Sequence, residues 1–162
     1  MIDRREFFGF VAFLGLCLAA SAVGAAATAS SVGSWYQTLA KPSFNPPNWV
    51  FAPVWSLLFF MMAVAAWRVW RRDGLRGARA ALTLFALQLA LNMCWSIVFF
   101  GLRSIGAALA EIFVLLLAIL ATTVVFWQRD RIAGMLFIPY AGWVGYAAVL
   151  NATLWQLNPL AR

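Results

Sequence analysis

Few side chains in this sequence could do chemistry, and those few are rings and neutral amides more than acids and bases. Gln88, Asn92, Trp95 and Phe99 are spaced by four, three and four. At about 100° per helical residue they fall in one stripe about 60° wide. Such a face can stack on a flat apolar ligand and hydrogen-bond its edge. Glu111 is the only acid deep within an apolar run, roughly 10 Å from its start at about 1.5 Å per residue. A carboxylate there is expensive in lipid and points to a proton relay or a cation site. The plain alternative is a protonated or hydrogen-bonded Glu near Arg103. The chain has no histidine, which removes the commonest general base, metal ligand and haem ligand together. Cys17 and Cys94 lie in separate apolar runs and read as small buried hydrophobes, so no metal site is expected.

The elements that must hold these residues follow from composition. Of 162 residues 65% are hydrophobic and 10% charged, against roughly half and a quarter in soluble domains. Too few charges remain to coat a soluble fold, so most of the surface must face a lipid bilayer. The net charge is +7, from 12 Lys+Arg and 5 Asp+Glu. The basic residues are scattered between apolar runs and form no groove-sized block, so no nucleic-acid partner is expected.

A membrane helix needs about 20 mainly apolar residues. Five stretches qualify, at roughly 7–29, 49–70, 80–102, 104–127 and 132–155. The fold class is therefore an all-α integral membrane protein, a five-transmembrane-helix bundle, with residues 1–162 as one domain. The long first connection, 30–48, has no span of its own. By the positive-inside rule, Arg4, Arg5, Arg68, Arg71, Arg72, Arg76, Arg79, Arg129 and Arg131 mark the cytoplasmic side, against Lys41, Arg103 and Arg162 outside. A cytoplasmic N terminus in a bacterial-type inner membrane is expected. The arginines from 68 to 79 then form an interfacial anchor that can meet anionic lipid. Asp3-Arg4-Arg5-Glu6-Phe7-Phe8 also looks like a twin-arginine export signal. The length of the run to Ala29 and the four spans after it favour a retained first helix.

Across residues 35–55, Pro42, Pro46, Pro47 and Pro53 fix the backbone and disfavour helix in the residues before them. The segment is expected to be stiff and extended, either a passive aromatic belt or a lid over the bundle mouth. Six of the tryptophans, Trp35, Trp49, Trp67, Trp70, Trp127 and Trp155, lie near span ends, where an interfacial belt explains them. Trp55, Trp95 and Trp143 lie further inside. Pro139 should kink the fifth span. After it, Gly142, Gly145, Ala147 and Ala148 leave room beside the Trp143 indole. On the third span Ala86, Ala90 and Cys94 centre almost opposite the polar stripe and let a partner helix approach, expected to be that of a second protomer.

Several of these residues together resemble the tryptophan-rich sensory protein and translocator protein family, also called peripheral-type benzodiazepine receptors. The resemblance covers about residues 10 to 156. It rests on Trp35-Tyr36, Lys41-Pro42, Asn45-Pro46-Pro47, Trp49-Val50-Phe51, Pro53-Val54-Trp55, Gln88, Asn92, Trp95, Phe99-Phe100-Gly101, Pro139-Tyr140, Trp143 and Leu150-Asn151. It implies a five-helix bundle that forms homodimers, with a pocket beneath the first loop for porphyrins, sterols and synthetic aromatic ligands. By this resemblance Trp55 and Trp143 are the pocket tryptophans and Asn92, Trp95 and Phe99 line it. Ala147 then sits where bulk alters binding. Two departures stand out. Cholesterol-binding members carry Leu-Asn-Tyr-x-x-x-Arg, whereas here Ala152 follows Leu150-Asn151 and Gln156 replaces the Arg, so sterol is not the expected ligand. Ser43-Phe44 stands where other members have tryptophan.

The leading expectation is a receptor or sensor binding protoporphyrin IX-like tetrapyrroles. Its ligand set is Trp55, Asn92, Trp95, Phe99, Trp143 and Ala147, with Tyr36 and Lys41 from the loop. No cofactor is required; the porphyrin is the ligand. Without histidine it would be held by stacking and shape, its propionates near Lys41, and not through iron. Two alternatives are a photo-oxidative porphyrin-degrading enzyme using the indoles, and a small-molecule transporter coupled through Glu111. No acid–base pair, nucleophile or metal cluster supports the former. The absence of internal repeats weighs against the latter.

Overall fold

The computed structural model describes residues 3–159, so Arg162, counted above on the outer side, lies outside the described residues. Six α-helices follow in chain order: α1 (Arg4–Ala29), α2 (Trp35–Thr38), α3 (Asn48–Gly77), α4 (Arg79–Ser96), α5 (Ile105–Arg129) and α6 (Arg131–Leu157). A π-helical turn, Ile97–Gly101, extends α4. No strand occurs among the described residues. The helices α1, α3, α4 with its π turn, α5 and α6 are each long and apolar enough to cross a membrane, as the five expected spans require.

These five form a ring. α1 lies against α3 and α4, α3 against α6, α6 against α5, and α5 against α4. The buried side is apolar and tightly filled by Met62, Ala63, Ala66, Phe85, Ile119, Phe126 and Phe137. The outward side is equally apolar, with Phe8, Leu18, Phe113, Leu117 and Val149 exposed. A helix apolar all round is buried in protein on one side and in lipid on the other.

Two boundaries differ from the sequence reading. α3 runs past residue 70 because its arginines are good helix formers and nothing breaks the helix before Gly74. There φ is +66°, a left-handed conformation that glycine adopts without Cβ strain. Within the 30–48 connection, Trp35–Thr38 forms one helical turn. No proline precedes Pro42, so nothing forbids it. The extended backbone begins where the prolines act, with Leu39 at φ −71°, ψ 140° and Pro47 at φ −59°, ψ 144°. α6 is continuous helix across Pro139.

The end of the bundle carrying the α3–α4 and α5–α6 connections is held by ion pairs. Asp130 caps α6, its Oδ1 accepting from the N–H groups of Ile132 at 2.9 Å and Ala133 at 3.1 Å. It also pairs with Arg68 of α3 at 2.9 Å. Burial pushes the Asp130 pKa up, but the Ala133 N–H, the Arg68 hydrogen bond and charge, and the Ile132 N–H outweigh it and hold the carboxyl below its ordinary range. Beside it Arg129 pairs with Asp73 at 2.6 Å and donates to the Gly77 carbonyl at 2.7 Å.

Candidate functional site

The polar stripe of α4 faces the interior. Gln88 is fully buried, Asn92 and Phe99 nearly so, and Trp95 half-buried. Asn92 Nδ2 donates to the Tyr140 phenol oxygen at 3.0 Å, linking α4 to α6. Trp95 Nε1 donates to Asn151 Oδ1 at 3.3 Å, and Asn151 Nδ2 donates to the Ile105 carbonyl at 2.9 Å. One helical turn of α4 therefore places an amide and an indole against α6 and the start of α5.

The π turn carries the stripe's last member. It widens the backbone so that Leu102 N–H reaches the Ile97 carbonyl at 2.8 Å. Such single π turns recur at functional sites. Here the turn leaves Phe99 stacked on Trp95, with ring centres 5.1 Å apart and planes 24° from parallel. Phe100 meets Phe99 edge-on at 4.8 Å.

The loop residues close over this end. Tyr36 is buried and its ring lies 6.2 Å from Phe99 and 5.7 Å from Phe100. Its hydroxyl donates to Asn45 Oδ1 at 2.8 Å. Burial pushes the phenol pKa up, the Asn45 bond opposes this and the Tyr146 phenol adds to it, so Tyr36 is a neutral donor. Lys41 Nζ sits 4.8 Å over the Tyr36 ring and donates to the carbonyls of Leu39 at 3.2 Å and Gln37 at 3.3 Å. Trp35 is edge-on to Phe99 at 5.7 Å, and Trp155 packs against the same cluster. These two tryptophans, assigned by position to an interfacial belt, belong to the aromatic cluster.

The remaining candidates lie along the α3–α6 seam in two rungs. Trp55 lies 6.2 Å from Tyr140 and Phe51 lies 6.0 Å from Trp143. Phe51 and Trp55 are one turn apart on α3, and Tyr140 and Trp143 one turn apart on α6, so the rings meet pairwise. Ala147, one turn beyond Trp143, is part of the same partly buried surface. The structure thus joins Lys41, Tyr36, Phe99 and Trp95 in one chain of contacts, and Asn92, Tyr140 and Trp55 in a second. Asn92 and Trp95 share the same turn of α4. Trp143 and Ala147 stand on the outer flank of the second chain.

Tyr140 and Asn151 are partners that sequence spacing alone did not assign. The available signal was their place on the α6 face: Tyr140 is three residues before Trp143, and Asn151 four after Ala147. Glu111 has no ion pair among the described residues, and both its carboxylate oxygens are buried without a hydrogen-bond partner. Arg103, expected nearby, is exposed at the α4–α5 turn with φ +55°. Its guanidinium approaches Ser31 Oγ at 3.4 Å instead.

The loop is tied down by latches at three points. Asn158 accepts from the Ala40 N–H at 2.8 Å and donates to the Ala40 carbonyl at 3.0 Å. Tyr146 donates to the Phe44 carbonyl at 2.7 Å. Ser31 donates to the Phe100 carbonyl at 2.6 Å. Phe44, at the departure from the family's tryptophan, lies 6.4 Å from the Tyr146 ring and keeps an aromatic contact at that position.

A five-helix integral membrane protein with an interhelical aromatic site under a latched loop is the class that these observations define. A family model described as the TspO/MBR family matches residues 13–156. The chain is 41% identical over 150 residues to the tryptophan-rich protein TspO of Chlorobaculum tepidum, covering 90% of this chain and 93% of that one. It is 39% identical to protein CrtK of Rhodobacter capsulatus, covering 93% and 92%. It is also 39% identical to the human translocator protein, over 76% of this chain and 75% of that one. The chain belongs to the TspO/MBR family.

Proposed function

We propose that this protein is a membrane receptor of the sensor type that binds porphyrins and other flat hydrophobic molecules among the aromatic side chains under the first loop. The observation that carries this reading is the run of contacting rings, Tyr36, Phe99 and Trp95, beside the rungs Trp55–Tyr140 and Phe51–Trp143. Aromatic faces offer large apolar area, and Asn92, Asn151 and Tyr140 add a few fixed polar atoms, the usual make-up of a small-molecule site. The rings touch one another, so a flat ligand enters only when the loop latches release and the rings part. Lys41 spends two of its three N–H donors on loop carbonyls, leaving one for a propionate. Titration of protoporphyrin IX against tryptophan fluorescence tests the reading. Trp55→Ala and Trp143→Ala should each weaken binding about five- to 150-fold, since losing a stacked ring removes about 1–3 kcal/mol. Unchanged affinity in both sinks the site.

A second reading, transport coupled through Glu111, is favoured by its buried and unpartnered carboxylate. Porphyrin flux into proteoliposomes would then be lost in Glu111→Gln. Flux that persists argues against coupling.

The same proposal places the N terminus in the cytoplasm, from the distribution of arginines. It also pairs protomers through α4, where Ala86, Ala90 and Cys94 are exposed on one face. Oxidative cross-linking through Cys94 in membranes tests the pairing, and absence of a cross-linked dimer counts against it.

A further inference from the structure

The arginine cluster of α3 does not act as one patch, and the fold divides it. Arg68 is taken by Asp130. Arg71 stacks over Trp67 at 4.6 Å and faces Glu6 at 4.0 Å. Arg129 of α5 is taken by Asp73 and the Gly77 carbonyl. Arg72 of α3 and Arg131 of α6 are exposed and have no acidic partner among the described residues. Both line a concavity of about 470 Å³ together with Arg68, Trp127, Asp130 and Ile132. That volume lies within the usual range for a small-molecule site, roughly 300–1,000 Å³.

We infer that this concavity is a binding site for the phosphate headgroup of an anionic phospholipid. Three observations point to the class of ligand. The first is charge. Asp130 and Asp73 neutralise Arg68 and Arg129, which leaves two uncompensated guanidinium groups on the rim, and planar guanidinium groups suit phosphate oxygens. The second is the closed helix end. The α6 N-terminus is already capped by Asp130, so the anion meets side chains and not backbone N–H groups. The third is position. Trp127 is 42% and Ile132 47% exposed beside the rim, at the end of two spanning helices. A soluble anion has no use for an indole and a branched aliphatic surface, whereas the glycerol backbone and first methylenes of a lipid do. Basic pockets between spanning helices are suited to acidic headgroups.

Native mass spectrometry of the full chain in detergent, with dioleoylphosphatidylglycerol and dioleoylphosphatidylcholine in competition, tests this. The wild type should retain the anionic lipid about thirtyfold over the zwitterionic one, as expected from two arginines near the surface at about 1 kcal/mol each. Arg72→Gln with Arg131→Gln should abolish the preference while leaving both ion pairs, and hence the thermal midpoint, in place. Arg76→Gln with Arg79→Gln removes the same charge from positions outside the concavity and should keep the preference. Equal loss in both double variants would reduce the effect to net charge and overturn the site. Retention of the preference in the first double variant would overturn it as well. Displacement of the lipid by inorganic phosphate at equal concentration would reassign the site to a free anion and overturn the lipid assignment.

Discussion

Asn92 of α4 and Tyr140 of α6 are joined by a 3.0 Å hydrogen bond in which the amide donates to the phenol oxygen. Both are buried, and the Tyr140 ring is also the partner of Trp55. The bond therefore fixes two things at once: the approach of α4 to α6, and the angle at which a ring of α6 meets the indole of α3.

Removing either end should cost stability. Tyr140→Phe leaves the Asn92 amide unpaired, and Asn92→Leu leaves the phenol unpaired. Interhelical hydrogen bonds in membranes are worth about 0.6 kcal/mol on average and up to about 1.7. Each single variant should lose about 1–2 kcal/mol of unfolding free energy in detergent, and the double variant less than the sum, because it strands no polar group. Additive losses would show that the two side chains do not act as a pair.

The loop latches make a separate prediction. Asn158 makes two hydrogen bonds to Ala40 at an exposed site and a third from Nδ2 to the Leu154 carbonyl of its own helix end at 2.9 Å. Asn158→Ala should leave global stability within about 1 kcal/mol, yet raise amide hydrogen exchange at residues 39–41 and, if the proposed site holds porphyrin, speed its release. If exchange at Ala40 does not change, Asn158 is not what holds the loop.

The five spans were legible because length and apolarity alone decide them in lipid. The α4 stripe was legible too, since helical periodicity fixes which residues share a face, and Gln88, Asn92 and Phe99 are buried as it requires. The partners were not. That Asn92 meets Tyr140, or that Trp95 meets Asn151, depends on the rotation and depth of α6 relative to α4, and periodicity within one helix carries no information on its register with another. The same limit misplaced Trp35: nearness to a span end does not show that the loop folds it back onto Phe99. The Arg68–Asp130 and Arg129–Asp73 pairs join residues about 60 positions apart, and long-range pairing among interfacial charges leaves no local pattern to read.

Asp130 gives the pH dependence a definite sign. Its folded carboxyl titrates below its ordinary value of 3.8, so the unfolded chain takes up the proton first as the pH falls. Its contribution is complete above that ordinary value and is lost as the pH drops through the lower folded one. Thermal midpoints measured from neutral pH downward should hold steady and then fall on the acid side of 3.8. Asp130→Asn keeps a capping oxygen but no charge, so it should flatten this acid limb. Asp130→Ala should in addition lose roughly 0.5–2 kcal/mol at neutral pH for the missing cap. An acid limb of equal slope in Asp130→Asn would assign it to other carboxylates.

Two glycines of α6 should respond oppositely to the same added methyl group. A Cβ on Gly134 would lie 2.7 Å from the Trp127 Cα, in the backbone of α5. A backbone atom cannot swing aside as a side chain would, so α5 and α6 must separate at this approach. Separation there also drags Asp130, four residues earlier, away from Arg68. Gly134→Ala should therefore lose about 1–3 kcal/mol, the usual cost of overpacking, or more. Gly142 meets nothing within 4 Å, and Ala is the better helix former, so Gly142→Ala should be neutral or more stable by up to about 1 kcal/mol. Thermal unfolding of the two variants in one detergent reads the difference. If Gly134→Ala is as stable as Gly142→Ala, α5 and α6 are not in backbone contact at Trp127, and Gly134 is not what sets their crossing.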